Sequence, residues 1–224
     1  MQAHVKLFLA SSNLGKLGEF RVLAQTTAMG VTKADEARVE VELLPGFDSL
    51  PSFGEDAPTF AENAAGKALH YSRLGNGCVF ADDSGLVVPA LGGAPGVHSA
   101  RYAGPSATNA ERIAKLLGEL RGKADAERAA YFICAIVLAE RGRAIAITTA
   151  RVDGEILVAP RGSSGFGYDP VFYFPTLKKT FAELSPEEKN QHSHRGKAFR
   201  RMLASFGNSD GHGVPRPFAF KDNF

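Results

Sequence analysis

One stretch near the start of the chain decides the fold class: Val5-Lys-Leu-Phe-Leu-Ala10-Ser-Ser-Asn-Leu-Gly-Lys16. Its first six residues are mostly apolar and predict a strand that is buried on both faces. The polar turn that follows leads into a segment where Leu17, Phe20, Leu23 and Ala24 recur at helical spacing. Strand, loop and helix in this order predict an α/β protein.

The rest of the chain continues to alternate between strand and helix patterns. Capping-box patterns at Thr59 and Thr108 begin two further helices, and Ser185 followed by a proline begins another. Two long extended runs, 129–140 and 144–158, are separated by three residues and predict an antiparallel pair. We therefore predict a mixed β-sheet flanked by helices, in which ligands bind at strand ends.

Composition limits the classes of protein to consider. A chain of 224 residues can bury one substantial core, and its net charge of +2 offers no basic footprint for nucleic acid. No apolar run approaches the roughly 20 residues of a membrane span, and the N-terminus lacks the order of a signal peptide. Cys78 and Cys134 lie in apolar runs, which favours buried free thiols in a reducing cytoplasm. We predict a cytoplasmic location.

The segment Phe80-Ala-Asp-Asp-Ser-Gly85 carries the strongest chemical signal. We predict short strands at 78–81 and 85–88, with the acidic pair in a turn between them. Asp82 and Asp83 could then hold a hard divalent cation or take a proton from water. The alternative is an ordinary strand-ending turn, since Asp, Ser and Gly all favour turns. The apolar flank favours a functional acid.

Two lysines and one glutamate extend this hypothesis towards a phosphate-binding site. The turn Ser11–Lys16 precedes a helix, whose free amides and dipole favour an anion, although an ordinary helix start is equally compatible. Lys67 could neutralise phosphate charge, and Glu55 could be a further metal ligand beside Asp82 and Asp83. Taken singly, each of the two is more simply a solvated surface residue.

Aromatic and basic residues in the last third of the chain favour a site for a nucleobase. In Ser164–Pro170, glycines surround Phe166, so that the backbone can approach a ligand while the ring stacks on a base. A glycine-rich turn with a core aromatic is the alternative. Lys189, His194 and Arg195 follow at helix starts, where an arginine suits a phosphate or carbonyl oxygen. Taken singly, His194 is more simply a capping or surface histidine.

Together these motifs resemble one known family, the non-canonical purine nucleoside triphosphate pyrophosphatases (inosine/xanthosine triphosphate pyrophosphatases). They occur in the family's order between about residue 5 and residue 206. The segments that carry the resemblance are Ser12–Lys16, Phe60–Ala64 with Lys67-Ala68, Ala81–Leu86, Gly92–Val97 with Ser99–Tyr102, Gly165–Pro170, Glu187–Lys189 and Ser193–Gly196.

The resemblance implies an elongated two-lobed α/β fold with a central mixed sheet flanked by helices and an active-site cleft between the lobes. It implies Mg²⁺-dependent hydrolysis of ITP, dITP or XTP to the monophosphate and pyrophosphate, by an enzyme that is usually a homodimer. We expect one such domain over residues 1–207 and a flexible tail over 208–224.

The resemblance also assigns roles to individual residues. Asp83 corresponds to the general base and a metal ligand, and Ser84 to a substrate contact. The triphosphate-binding positions correspond to Ser11, Ser12, Asn13, Leu14, Gly15, Lys16 and Lys67. The base-side positions correspond to Phe166, Gly167, Tyr168, Asp169, Lys189, His194 and Arg195.

The chain departs from the family pattern in three places, and two other functions stay open. Ser11-Ser12 stands where the family often has Thr or Ser followed by Gly, residues 27–52 match poorly, and the tail has no counterpart. One alternative is a pyrophosphatase for modified pyrimidine nucleotides, against which the Phe166 and His194-Arg195 pocket argues. The other is a nucleotide sensor without catalysis, against which Asp82-Asp83 and Lys67 argue. An RNA-binding module lacks the necessary basic stripe.

Overall fold

A seven-stranded mixed sheet organises the protein. The computed structural model describes residues 4–26 and 38–206. The strands lie in the order β2-β1-β3-β4-β5-β6-β7. They are β1 (His4–Leu9), β2 (Arg38–Leu43), β3 (Cys78–Val87), β4 (Ala129–Glu140), β5 (Arg143–Ile156), β6 (Phe172–Phe174) and β7 (Lys179–Thr180). The flanking helices are α1 (Leu14–Thr26), α2 (Phe60–Leu74), α3 (Asn109–Glu119), α4 (Pro186–His192) and α5 (His194–Phe206). The predicted mixed α/β class is confirmed.

Parallel and antiparallel strands both contribute to the sheet. β1 pairs in parallel with β2 and with β3, while β5 pairs antiparallel with β6. β4 and β5 are joined by Arg141 and Gly142, whose φ angles of 50° and 74° are those of a two-residue hairpin turn. The predicted antiparallel pair is therefore confirmed, with a tighter turn than the three residues expected.

The prediction of two short strands around an acidic turn is wrong. β3 runs without interruption from Cys78 to Val87, so Asp82, Asp83 and Ser84 lie inside a strand. β1 pairs with β3 only as far as Leu9 opposite Phe80, and the next amide, that of Ala10, donates to Phe80 O. The acidic pair therefore follows the carboxyl end of β1 rather than the end of its own strand. Turn-favouring side chains are outweighed here by backbone pairing along a central strand.

The chain divides into two compact units, and β3 passes from one to the other between Asp82 and Asp83. Unit 1 contains the described residues up to Asp82, residues Ala135–Thr149 and the described residues from Ala198 onward. One side of its core packs α2 residues such as Ala64 and Ala68 against β3 and β4. A second group packs Phe20 of α1 edge-to-face against Phe80 and at a tilt against Phe199, with ring centres 5.0 and 5.1 Å away.

Unit 2 contains Asp83–Cys134 and Ala150–Lys197. Its core packs α3 residues Ile113 and Leu116 against an aromatic group that includes Phe132, Phe172 and Phe181. The expectation that residues 1–207 form one domain of two lobes stays a prediction. The tail expected over 208–224 lies outside the described residues, as does the part 27–37 of the poorly matching stretch 27–52.

Helix starts follow the capping patterns of the sequence. Complete capping boxes begin α3, between Thr108 and Glu111, and α4, between Ser185 and Glu188. At α2 the prediction is only partly right, because Thr59 accepts the Glu62 amide but the Glu62 carboxylate bonds the Thr59 hydroxyl instead of its amide.

Two further expectations concern membrane spans and thiols. No helix within residues 4–26 and 38–206 combines the length and hydropathy of a membrane span. Cys134 is buried as predicted, whereas Cys78 is only partly buried, and the two cysteines do not form a disulfide.

Candidate active site

The acidic residues of β3 have different surroundings because strand side chains alternate between the two faces of a sheet. Asp82 is fully buried, and its Oδ1 lies 3.0 Å from Lys16 Nζ. Asp83 is 7% exposed, and its Oδ1 accepts the Ser84 amide proton at 3.0 Å. Asp82 thus neutralises the charge of Lys16 in the turn Ser11–Lys16, while the Asp83 carboxylate is held by a backbone amide of β3.

The phosphate turn Ser11–Lys16 is shaped by two short-range hydrogen bonds. Ser11 Oγ accepts the Asn13 amide at 3.1 Å, and Asn13 Oδ1 accepts the Lys16 amide at 3.1 Å. Ser11 is buried, whereas the next four residues, 12–15, are exposed to solvent. Because the first turn of a helix presents amides with no partner inside the helix, this exposed segment is suited to an anion.

A further lysine, Lys67, is buried in α2. Lys67 is 5% exposed, and its Nζ lies 2.8 Å from Glu55 Oε1. The loop that carries Glu55 is fastened by Asn63, which accepts the Ala57 amide at 2.9 Å and donates to Ala57 O at 3.3 Å. The lysine predicted to bind phosphate and the acid predicted to bind metal are therefore partners in unit 1.

The glycine-rich segment Ser164–Pro170 folds around the Asp169 carboxylate. Asp169 Oδ2 accepts the Phe166 amide at 2.8 Å, and a Cβ at Gly165 would overlap this same oxygen. Gly165 and Gly167 have φ angles of 76° and 64°, a region that favours glycine. Both glycines are thus required by a tight loop that presents the Phe166 ring.

Two cations lie beside that ring. Lys189 Nζ is 4.8 Å and Arg195 Cζ 5.3 Å from the centre of the Phe166 ring. Lys189 also pairs with Asp169 Oδ2 at 2.5 Å, with both side chains buried. Arg195 donates to Ser84 Oγ at 2.7 Å, across 111 positions of sequence. Unit 2 therefore brings together five of the predicted site residues: Phe166, Asp169, Lys189, Arg195 and Ser84.

His194 takes a position that sequence reasoning did not foresee. Its ring stacks on Phe132 of β4, with ring centres 4.6 Å apart and planes 9° from parallel. Phe132 was missed as a supporting residue because an aromatic in a strand pattern carries no sign of its distant partner. Ser193 caps α5 by accepting the Gly196 amide at 3.0 Å.

Backbone groups of Ala182 and Ser99 also hold the loop Ser164–Pro170 in place. Ser164 donates its amide to Ala182 O at 3.1 Å. Gly162 packs so closely on the backbone of Ala182 that a Cβ at this position would overlap it. Tyr168 donates its hydroxyl to Ser99 O at 3.0 Å, and burial raises the pKa of Tyr168 well above its usual value. The phenol therefore stays protonated and acts as a hydrogen-bond donor that anchors the loop.

The carboxylates available to a metal suit a hard cation. Within residues 4–26 and 38–206, no group of three or more His, Cys, Asp or Glu side chains is arranged to hold a metal ion. Mg²⁺ commonly takes one or two carboxylates from the protein, and substrate phosphates and water supply its other oxygens. Buried carboxylates such as that of Asp83 fit this kind of site in donor chemistry.

Comparison with known proteins gives the family of this chain. The model of the Ham1 family matches residues 7–205. A dITP/XTP pyrophosphatase of Geobacillus kaustophilus (strain HTA426) is 50% identical over 197 residues, which are 88% of this chain and 92% of that protein. A dITP/XTP pyrophosphatase of Gloeobacter violaceus (strain ATCC 29082 / PCC 7421) is 49% identical over 198 residues, 88% and 92% of the two chains.

Solved structures give the same result for the fold. A HAM1 protein from Coxiella burnetii superposes with a TM-score of 0.75 at 41% identity, covering 89% of this chain and 96% of that one. The Ham1 protein of Staphylococcus aureus gives a TM-score of 0.74 at 37% identity, with coverage of 89% and 96%. Sequence and structure agree over most of the length, and the chain belongs to the Ham1 family.

Proposed function

We propose that this protein hydrolyses the non-canonical purine nucleoside triphosphates ITP, dITP and XTP to the monophosphate and pyrophosphate. The activity removes deaminated purines from the nucleotide pool. One observation carries the proposal: Phe166 is presented on a tight loop with Lys189 and Arg195 beside its ring. Relatives that are 49% and 50% identical to this chain are dITP/XTP pyrophosphatases, which supports the same assignment.

The base side of this site favours a 6-oxo purine. A purine ring stacked on Phe166 gains about 1–3 kcal/mol. Lys189 and Arg195 carry only hydrogen-bond donors, which match the oxygen at position 6 of hypoxanthine and xanthine. The amino group of adenine would instead face these donors with its own protons, and buried donors left without an acceptor are costly. His194, stacked on Phe132, belongs to the same recognition surface.

The phosphate side is provided by the exposed residues Ser12, Asn13, Leu14 and Gly15, together with Lys16 and Lys67. Ser11 fixes the shape of this turn by accepting the Asn13 amide. The two lysines are paired with Asp82 and Glu55, so their ammonium groups are held in place before a triphosphate arrives. Preorganised cations of this kind stabilise charge as it develops on the leaving pyrophosphate.

Asp83 acts as the general base in this proposal. Its carboxylate accepts one proton from a water molecule as the water oxygen attacks phosphorus and the bond between the α- and β-phosphates breaks. The amide of Ser84 holds Oδ1 of this carboxylate in one orientation, which limits the conformations in which the proton is taken.

Mg²⁺ is the cofactor that the donor set favours: Asp83 would be its main ligand, and either Asp82 or Glu55 would supply a second carboxylate. When bound, it offsets phosphate charge and polarises the bond that breaks. Asp82 and Glu55 also carry the ion pairs with Lys16 and Lys67, so either one would contribute to both the metal and the phosphate side. We further propose a homodimer, which rests on the family resemblance, and a cytoplasmic location, which rests on the two cysteines in apolar runs.

The products test which bond is broken and which acid assists. We expect ITP with Mg²⁺ to yield IMP and pyrophosphate in equal amounts, with no inorganic phosphate. Asp83→Asn keeps an oxygen to accept the Ser84 amide but loses the base, so kcat should fall by about 100-fold or more. Asp153→Asn is the matched control, because Asp153 is 68% exposed on β5, and it should leave kcat unchanged.

Other outcomes would assign a different function. Release of inorganic phosphate from ITP would contradict the proposed cleavage position. Tight ITP binding without turnover would favour a nucleotide sensor, and turnover of modified pyrimidine triphosphates in place of ITP would favour the pyrimidine alternative.

A further inference from the structure

Ser84 lies between two residues with separate tasks in the proposed function. On one side its Oγ accepts a proton from Arg195 Nη2 at 2.7 Å. On the other side its amide donates to Asp83 Oδ1 at 3.0 Å. Arg195 is 4% exposed and lies beside the base-stacking ring of Phe166, whereas Asp83 is the proposed general base. All of these residues belong to unit 2.

The geometry of β3 explains how Ser84 can contact both Arg195 and Asp83. Side chains alternate along β3, so the hydroxyl of Ser84 and the carboxylate of Asp83 point to opposite faces of the sheet. The amide of Ser84 lies in the strand itself and connects the two faces. When the Ser84 hydroxyl moves, the backbone amide of Ser84 moves with it. This amide is the donor that orients the Asp83 carboxylate.

We propose that Ser84 is a positioning residue that couples recognition of the base at Arg195 to the orientation of Asp83. A guanidinium has five donors in a fixed plane, so Arg195 can hold Ser84 and a 6-oxo group together. The amino group of a 6-amino base points its own N–H donors at the Arg195 guanidinium. The guanidinium is then displaced, and its hydrogen bond to Ser84 is weakened. Discrimination then enters kcat as well as KM. This inference rests on the proposed function.

The test separates binding from turnover in Ser84→Ala. We expect kcat on ITP to fall about 10-fold, while KM for ITP and the calorimetric affinity for IMP change less than about twofold. The rate on ATP should fall less than the rate on ITP, so the ratio of the two kcat values narrows. Ser84→Thr keeps the hydroxyl and should restore most of the ITP rate.

A double-mutant cycle tests the connection to Arg195. If Ser84 acts through that guanidinium, Ser84→Ala should cost little further kcat once Arg195→Lys has altered the contact, so the two losses should not add. Ser99→Ala is the matched control, because Ser99 Oγ accepts the amide of Leu86 on the same strand at 2.9 Å. It should lower the melting temperature and leave the ratio of kcat values unchanged.

Several results would overturn the coupling. A raised KM and weaker IMP binding at unchanged kcat would make Ser84 a simple substrate contact. Equal losses on ITP and ATP, or losses that add to those of Arg195→Lys, would reduce it to a structural role. A wild-type enzyme without preference for ITP over ATP would reject the proposed function itself, and this failure is visible before any variant is made.

Discussion

Lys189 and Asp169 form an ion pair whose side chains are 6% and 4% exposed. Removing one member of a buried pair leaves an uncompensated charge and costs about 3–5 kcal/mol. We therefore expect Lys189→Met to lower the free energy of unfolding by that amount in urea denaturation. The same substitution at Lys123, which pairs with Glu127 at an exposed site, should cost less than about 1 kcal/mol. Equal costs would mean that the Asp169 charge is compensated elsewhere.

Gly165 and Gly167 flank Phe166 and separate two effects of substitution. Both have φ angles that strain an alanine by about 1–2 kcal/mol. A Cβ at Gly165 would also strike the Asp169 carboxylate, whereas a Cβ at Gly167 would meet nothing within 4 Å. Gly165→Ala should therefore raise KM for ITP well beyond Gly167→Ala in steady-state kinetics. A similar KM for both variants would show that Asp169 is not needed to place Phe166.

At the scale of the element, α3 and α4 begin with the same capping box and differ in what they carry. α4 bears Lys189, and the next helix bears His194 and Arg195. Loss of the cap in Ser185→Ala or Thr108→Ala should cost about 1 kcal/mol of stability in each case. Only Ser185→Ala should also raise KM for ITP, because it loosens the helix of the base site. A raised KM in both variants would point to a global effect.

Helix starts could be predicted from sequence because a cap involves residues only three positions apart, as at Thr108 and Ser185. The path of β3 could not be predicted. Asp82, Asp83 and Ser84 favour turns locally, yet β3 continues through them past the end of its pairing with β1, as a strand that lies between β1 and β4 in the sheet. Helix starts that depend on residues close in sequence could thus be predicted, whereas the path of a strand that depends on pairing with distant strands could not.

Across the whole molecule, acid should remove a shared contribution to stability. Backbone amides at helix starts lower the pKa of Glu111 and Glu188 below the ordinary 4.5 by donating to their carboxylates. A lowered pKa stabilises the folded state at pH values above 4.5, and this contribution disappears as the pH falls through the lowered values. Urea denaturation between about pH 6 and pH 3 should therefore show falling stability. A flatter fall is expected in Glu188→Gln, and an identical fall would contradict this account.

The site as a whole was only partly accessible from sequence. Individual motifs predicted the residue types, including Phe166, Lys189 and Arg195. Their contacts depend on long-range pairings that no spacing reveals, such as Arg195 with Ser84 or His194 with Phe132. Sequence therefore predicted which chemical groups are present, and the structure added which of them act on one another.

The most direct test of the central claim is a comparison of kcat/KM for ITP, XTP, ATP and GTP with Mg²⁺ under one set of conditions. The account predicts that ITP and XTP are preferred over ATP by about 100-fold or more, since unmatched buried donors penalise adenine. Nearly equal values for all four nucleotides would contradict the assignment of Phe166, Lys189 and Arg195 to recognition of a non-canonical purine.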